Sequence, residues 1–205
     1  MFISFEGTEG VGKSTLIQRV HDYFVAQNKE VVLTREPGGT PLAEKIRGLL
    51  LSVSDETMCA DTELLLIYAA RSQHLQHVVL PALRAGKVVL SDRFTDASFA
   101  YQVKGRGLSQ EKLELLNQTF VEKMPDLTFW LDAPIEIGMA RATARGELDR
   151  FEQEKLEFFT KVREGYAFLH AQSPERIKRL DATQSEDDVF NQCMSYFSVS
   201  PAKVL

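Results

Sequence analysis

The residues from Gly7 to Ser14 read Gly-Thr-Glu-Gly-Val-Gly-Lys-Ser, which matches the P-loop pattern G-x-x-x-x-G-K-[ST]. An apolar run precedes this segment and an amphipathic run of helical period follows it, as the pattern requires. Its glycines let backbone N–H groups close around phosphate oxygens, and the next helix contributes its positive N-terminus. We therefore predict a nucleoside triphosphate site where Lys13 reaches the β and γ phosphates and Ser14 binds Mg²⁺.

Other charged residues stand where predicted elements can bring them to the same site. Asp92 and Arg93 end a predicted strand, where Asp92 can hold Mg²⁺ through water and Arg93 can meet a phosphate. Arg47 and Arg71 lie on two predicted helices, and either alone would be an ordinary surface charge. Phosphoryl transfer between two phosphates needs several fixed cations, and no dedicated base, since the acceptor is already ionised. A switch or a motor protein remains possible at this point.

Two interruptions of the regular pattern point to binding segments. The ten residues from Arg141 to Arg150 place three arginines around Gly146, and we expect residues 141–151 to form a mobile lid that excludes water. Residues 35–40, Arg-Glu-Pro-Gly-Gly-Thr, follow the second predicted strand. They therefore lie at the carboxyl edge, where open α/β sheets bind their ligands.

The elements that position these residues follow from the hydrophobic pattern, in which β-branched and aromatic runs alternate with segments of helical period. This alternation predicts an α/β fold with a doubly wound, about five-stranded parallel sheet in one domain covering residues 1–205. We expect His74 and His77 to lie on a solvated helix face. Strands are predicted at 2–6, 30–34, 87–91, 127–131 and 176–180, and helices at 14–27, 41–51, 61–84, 109–121, 134–144, 152–171 and 185–197.

Composition excludes several other classes of protein. The 205 residues carry 24 Lys+Arg against 29 Asp+Glu, a net charge of -5, which disfavours a partner that is a nucleic-acid polymer. The two cysteines, Cys59 and Cys193, are far apart and predict free thiols. The N-terminus has no signal-peptide pattern and no apolar run is long enough to span a membrane, so we expect a cytoplasmic protein.

Several blocks of the sequence resemble those of the bacterial thymidylate kinases, in the family's order and over nearly the whole chain. The resemblance implies a P-loop nucleoside-monophosphate kinase fold, a homodimer, and a Mg²⁺-dependent transfer from ATP to dTMP that gives dTDP. TREPGGT and RGELDRFE are far more specific than the P-loop. The blocks are FEGTEGVGKST, TREPGGTPLAEKIRGLLL, YAARSQH, SDRF, AYQ, GRG, PDLTFWLD and ARATARGELDRFE.

The resemblance also implies roles on the ATP side. Gly10 stands where some members carry a P-loop arginine, so the extra catalytic arginine belongs to the lid, as in the bacterial type. Mg²⁺ is assigned to Ser14 and, through water, to Asp92. The catalytic set is Lys13, Glu9, Arg93, Arg145 and Arg150, and the ATP-binding set is Gly7, Thr8, Glu9, Gly10, Val11, Gly12, Lys13, Ser14, Thr15 and Arg141.

On the dTMP side, the resemblance implies one group of residues around the sugar and phosphate and another at the base. Tyr101 would lie near the sugar 2′ carbon and disfavour a ribose. Ile67 replaces the phenylalanine that many members stack on thymine, and it shares a helix face with Arg71. Tyr68 is expected in the core. Glu36, Pro37, Arg47 and Arg93 are assigned to the sugar and phosphate, and Arg71, Ser98 and Gln102 to the thymine edge.

Two alternatives remain open from the sequence. The first is a kinase for another nucleotide or for a nucleoside, although a bare nucleoside acceptor would need a carboxylate base and fewer phosphate-facing arginines. The second is a non-catalytic ATP-binding switch, which would bind ATP without turnover that depends on an acceptor.

Overall fold

The computed structural model describes residues 1–144 and 149–198. Its sheet has five parallel strands in the order β2-β3-β1-β4-β5, which confirms the predicted doubly wound fold. All five side chains of the central strand β1 are buried, as expected for a parallel sheet covered on both faces. The strands are β1 (Phe2–Glu6), β2 (Val31–Arg35), β3 (Val88–Asp92), β4 (Leu127–Asp132) and β5 (Ile177–Asp181).

Helices connect the strands and cover both faces of the sheet. Two π-helical segments interrupt them: Leu75–Val79 joins α3 to α4, and Phe99–Gly105 continues α5. Within the described part of the chain, no helix is long and apolar enough to cross a bilayer. The helices are α1 (Lys13–Ala26), α2 (Pro41–Leu51), α3 (Ala60–His74), α4 (Leu80–Arg84), α5 (Thr95–Ser98), α6 (Gln110–Phe120), α7 (Ile135–Thr143), α8 (Leu156–Gln172) and α9 (Glu186–Ser198).

Side chains of β1 alternate between two cores. Ile3 and Phe5 pack with buried side chains of α1 and α9, whereas Phe2 packs on the other face with Leu75 and Val79. The alternation also turns Glu6 toward the face of Phe2, at the end of the strand. A carboxylate is therefore buried beside the P-loop.

One helix prediction needs correction, and one helical stretch had no prediction. The prediction of a helix from residue 152 is wrong, because residues 150–153 form a turn and α8 begins at Leu156. The Asp149 carboxylate accepts the backbone N–H groups of Phe151 and Glu152 at 2.8 and 2.9 Å, which stabilises the turn. The helical stretch from α5 to Gly105 was not predicted, since its π-helical part does not follow the 3.6-residue period.

Candidate active site

A cavity of about 860 Å³ runs along the carboxyl edge of the sheet, with the P-loop in its middle. It extends to both sides of the central strand, so it can hold one ligand on each side of a shared phosphate site. The arm toward β5 is lined by Leu131, Arg141, Ala182, Gln184 and Val189. The arm toward β2 is lined by Arg35, Glu36, Pro37, Arg47, Ile67, Arg71, Tyr101 and Gln102.

The P-loop presents the N-terminus of α1 to this cavity. Gly12 occupies the N-cap with φ 94° and makes no side-chain cap hydrogen bond, so the first amides of α1 face the site without a protein cap. The Lys13 ammonium donates to the carbonyls of Gly7 and Thr8, at 3.2 and 2.8 Å. Burial and the nearby Arg93 guanidinium lower the pKa of Lys13 to about 8. An incoming phosphate would restore its charge.

Backbone contact fixes the P-loop against α7. Gly10 has φ +70°, and a Cβ there would lie 2.1 Å from the carbonyl oxygen of Gly138. A Cβ on Gly138 would lie 2.4 Å from the carbonyl oxygen of Glu9. Only a residue without a side chain fits either position, which explains why no arginine stands at position 10.

Glu9, Arg93 and Tyr101 form one cluster, as their predicted roles around one acceptor require. The Tyr101 hydroxyl donates to the Glu9 carboxylate at 2.9 Å, and Arg93 Nη2 donates to the same oxygen at 2.7 Å. Burial raises the pKa of Tyr101 well above its usual range, so its hydroxyl stays a neutral donor. Asp92 lines the cavity beside them, and its buried Oδ1 has no hydrogen-bond partner among the residues described.

Glu6 supports this cluster and was missed by the sequence analysis. Its two carboxylate oxygens accept the Phe94 N–H at 2.7 Å and the Tyr166 hydroxyl at 2.9 Å. The first bond holds the chain directly after Arg93, which has an unusual φ of 70°. Burial and the Asp96 carboxylate raise the pKa of Glu6 to about 8. A charged residue at the end of an otherwise apolar strand was the available signal.

The entrance to the β2 arm carries an excess of positive charge. Arg47 donates to the Pro37 carbonyl at 3.0 Å, and burial together with neighbouring Arg35 and Arg93 lowers the pKa of Arg47. Arg35 was not named as a site residue, although it opens the conspicuous segment 35–40; it pairs with Glu44 at 2.8 Å. Repulsion among these cations favours binding of an anion between them.

Arg71 lies deeper in the same arm and is only 1% exposed. Its Nε donates to Glu36 at 2.7 Å, and its Nη2 donates to the Phe94 carbonyl and the Ser98 hydroxyl, both at 3.1 Å. Its buried Nη1 has no partner among the residues described. Glu36 and Ser98 thus both contact the Arg71 guanidinium, and of these two only Glu36 is among the described residues that line the cavity.

The prediction that His74 lies on a solvated face is wrong. His74 is fully buried, with Nδ1 at 2.8 Å from Glu36 and Nε2 at 2.6 Å from the Thr34 hydroxyl. It therefore fixes the second oxygen of the carboxylate that holds Arg71. Tyr68 is buried, as predicted, and its ring lies 4.6 Å from the Arg71 guanidinium carbon.

The far end of the arm is built around Glu63, which is fully buried. Its carboxylate accepts from Gln102 Nε2 at 2.9 Å and from Arg106 Nε at 3.2 Å, and pairs with Arg150 at 2.7 Å. Arg150 also donates to the Leu50 carbonyl at 2.7 Å. The structure thus brings Arg150 to α2 and α3 instead of the P-loop, and Arg145 lies outside the described residues.

Comparisons with known proteins identify the family of the chain. The thymidylate kinase family model matches residues 5–193, a range that includes every residue lining the cavity. The chain is 72% identical to the thymidylate kinase of Acinetobacter baumannii strain SDF over 199 residues, 97% of this chain and 100% of that protein. It is 58% identical to that of Ectopseudomonas mendocina strain ymp over 187 residues, 90% and 89% of the two chains. A crystal structure of thymidylate kinase from Ehrlichia chaffeensis matches with a TM-score of 0.78 and 31% identity, covering 97% and 98%.

Proposed function

The chain belongs to the thymidylate kinase family, and we propose that the two arms of its cavity seat ATP and dTMP on opposite sides of the P-loop. The enzyme transfers the γ-phosphoryl group of ATP to dTMP, giving dTDP and ADP. The observation that best supports this seating is Arg71, a buried cation with one unpartnered nitrogen in an arm that the P-loop opens.

On the ATP side, residues 7–15 bind the phosphates, and the base lies in the β5 arm near Arg141 and Gln184. The buried, unpartnered Oδ1 of Asp92 and the exposed hydroxyl of Ser14 fit a Mg²⁺ site, since this ion prefers oxygen and keeps water and phosphate ligands. When bound, Mg²⁺ neutralises charge that develops on the phosphates. The described residues contain no cluster of three His, Cys, Asp or Glu side chains suited to a metal, so phosphate and water would have to supply most of the Mg²⁺ ligands.

On the acceptor side, Arg47 and Arg93 hold the dTMP phosphate. One of its oxygens bonds to the γ phosphorus while the bond from that phosphorus to the bridging oxygen breaks, so that oxygen leaves with ADP. The acceptor is already ionised, so the residues position and neutralise charge instead of removing a proton. Lys13 stabilises the transferring group, and Glu9 orients Arg93 through their 2.7 Å contact. We assign further charge to Arg141, Arg145 and Arg150 of the lid, and Arg150 would have to leave Glu63 to supply it.

The base arm complements thymine. The free Nη1 of Arg71 would donate to the carbonyl at position 4, and the Gln102 amide would accept from N3–H. Ile67 lines the arm and would press its apolar edge on the ring, while Tyr101 disfavours a ribose hydroxyl. Cytosine has an amino group and a bare nitrogen at those positions, so both polar contacts would be unmatched. Each unmatched contact would cost about 1–3 kcal/mol.

A coupled ADP-release assay with a panel of nucleoside monophosphates tests this function. We expect dTMP to be strongly preferred over dCMP and AMP. Because dUMP lacks only the 5-methyl group, its interaction with the enzyme should be weaker than that of dTMP by about 0.8 kcal/mol. Equal efficiency with dCMP or AMP would contradict the assignment, and ADP release that does not depend on an acceptor would favour an ATP-binding switch.

We further propose a homodimer that acts in the cytoplasm, with residues 141–151 as a lid over a single domain. Leu65 on α3 and Leu115 on α6 are 59% and 64% exposed, which suits an interface, and light scattering tests the dimer. Cys59 and Cys193 are free thiols, in agreement with a reducing compartment. The lid amides should be protected from hydrogen exchange when both nucleotides are bound. Equal exchange rates in the free and the doubly bound protein would contradict the lid.

A further inference from the structure

Three residues of α3 project toward the base arm at four-residue intervals, and Glu63 is the first of them. Ile67 and Arg71 follow on the same face of the helix and line the cavity. Glu63 itself is fully buried and touches another residue of that arm, because Gln102 Nε2 donates to its Oε1 at 2.9 Å. Gln102 alone thus lies between Glu63 and the proposed position of the base.

The chemistry of this contact decides which end of the Gln102 amide faces Glu63 and which end faces the cavity. A glutamine side chain has a donor end and an acceptor end of nearly the same shape, whereas an ionised carboxylate only accepts. The Glu63 carboxylate forms ion pairs with the guanidinium groups of Arg106 and Arg150, so it accepts from donors on these sides as well. The NH₂ group of Gln102 must therefore face Glu63, which leaves its carbonyl oxygen for the cavity.

We propose that Glu63 is a positioning residue that sets base selectivity, because it holds the Gln102 carbonyl toward the base so that thymine N3–H is accepted and cytosine N3 is refused. This inference rests on the proposed seating of dTMP in the β2 arm. The orientation of Arg71 does not need to be fixed in this way, since a guanidinium is a donor in every orientation. The orientation of Gln102 does need to be fixed, because a flipped amide would donate to N3 of cytosine.

Glu63→Gln tests the proposal with little change in shape. The new amide can accept from Gln102 or donate to it, so the orientation of Gln102 is no longer fixed. We expect the ratio of kcat/KM for dTMP to that for dCMP to fall by about tenfold, the size of a lost polar match. Glu63→Asp keeps an acceptor-only group and should retain more of the ratio than Glu63→Gln does.

Two controls separate this role from a purely structural one. Glu154→Gln removes the other carboxylate that pairs with Arg106 without contact to Gln102, and it should leave the ratio unchanged. In a Gln102→Leu background the ratio should already be low, and adding Glu63→Gln should not change it further. Thermal melting and ATP affinity of each variant establish that the compared proteins are folded.

The outcomes distinguish the inference from the function on which it rests. A fall in the ratio with Glu63→Gln that disappears in the Gln102→Leu background supports the proposal. Equal losses for dTMP and dCMP, an equal effect in both backgrounds, or a lower ratio in Glu63→Asp than in Glu63→Gln would overturn it. If the wild-type enzyme shows no preference for dTMP over dCMP, the thymine assignment itself is wrong.

Discussion

The phosphate region and the base region of the cavity differ in how their cations are balanced. At the phosphates, burial and neighbouring cations lower the pKa values of Lys13 and Arg47, so these two cations lack a full set of counterions, whereas Arg93 beside them pairs with Glu9 and its pKa is raised. In the base arm, burial alone would lower the pKa of Arg71, but Glu36 and Tyr68 raise it above its usual value. The first region attracts any polyphosphate, whereas the second holds donors and acceptors in fixed directions and can discriminate between bases.

Removal of the central cation is the strongest test of the phosphate region. Lys13→Met should leave the fold intact but lower turnover with dTMP by at least about 100-fold, because charge on the transferring group is no longer neutralised. Steady-state kinetics at saturating ATP measure the effect, with circular dichroism as the control for folding. Turnover at the wild-type rate would refute the P-loop assignment.

Truncation in the base arm should have a smaller and more selective effect. Arg71→Ala should reduce the preference for dTMP over dCMP by about 1–3 kcal/mol and leave the KM for ATP close to the wild-type value. The same kinetic assay with both acceptors measures it. An unchanged preference would remove the role given to Arg71 but not the membership of the family, and a raised KM for ATP would show that the two regions are not separable.

The backbone contact beneath the phosphate region can be tested with one methyl group. Gly138→Ala places a Cβ 2.4 Å from the Glu9 carbonyl, so we expect a loss of about 1–3 kcal/mol of stability and weaker ATP binding as the P-loop shifts. Gly48→Ala on exposed α2 is the matched control, because its Cβ would meet nothing within 4 Å. The Gly48→Ala variant should gain about 0.5–1 kcal/mol of stability. Thermal melting that moves both variants in the same direction would contradict the contact.

Proton uptake gives the most subtle measure of the unbalanced charge. Because the pKa of Lys13 is lowered to about 8, about half of the ligand-free molecules carry a neutral Lys13 at pH 8. ATP binds the charged form, so binding should take up about 0.5 proton at pH 8 and almost none from Lys13 at pH 6. Affinity for ATP should therefore fall as the pH rises above 8.

Calorimetry in two buffers of different ionisation enthalpy measures this uptake. Lys13→Met should lose it, whereas Glu6→Gln should retain the part that belongs to Lys13, since Glu6 titrates in the same range. Equal uptake in the wild type and in Lys13→Met would assign the proton to another group.

The phosphate region could be predicted from the sequence because its chemistry is local. Eight consecutive residues build the P-loop, and the strand before it and the helix after it follow from simple hydrophobic patterns. The five strands were placed within one residue or so for the same reason. The family resemblance then supplied the cavity residues, such as Arg47 and Arg71, but not what holds them.

The base arm could not be derived in this way, because its geometry depends on pairs of residues far apart in the sequence. Arg71 meets a carboxylate 35 positions away and Gln102 meets one 39 positions away, and no local pattern identifies such partners. The prediction for His74 was wrong because it grouped this residue with His77, which is exposed. The helical period instead places His74 on the buried face of Ile67 and Arg71, and its partner Glu36 lies 38 positions away.

The π-helical segment Phe99–Gly105 has a consequence for how related sequences are compared. Neighbouring residues on an α-helix point about 100° apart, yet Tyr101 and Gln102 both line the cavity. Removing one residue from this segment would convert a wide turn into an ordinary helical turn while the helix on either side stays in phase, so Tyr101 and Gln102 would no longer both face the cavity in their present way. A single-residue gap at this point of an alignment therefore marks a changed wall of the base arm, even in a relative that keeps every motif.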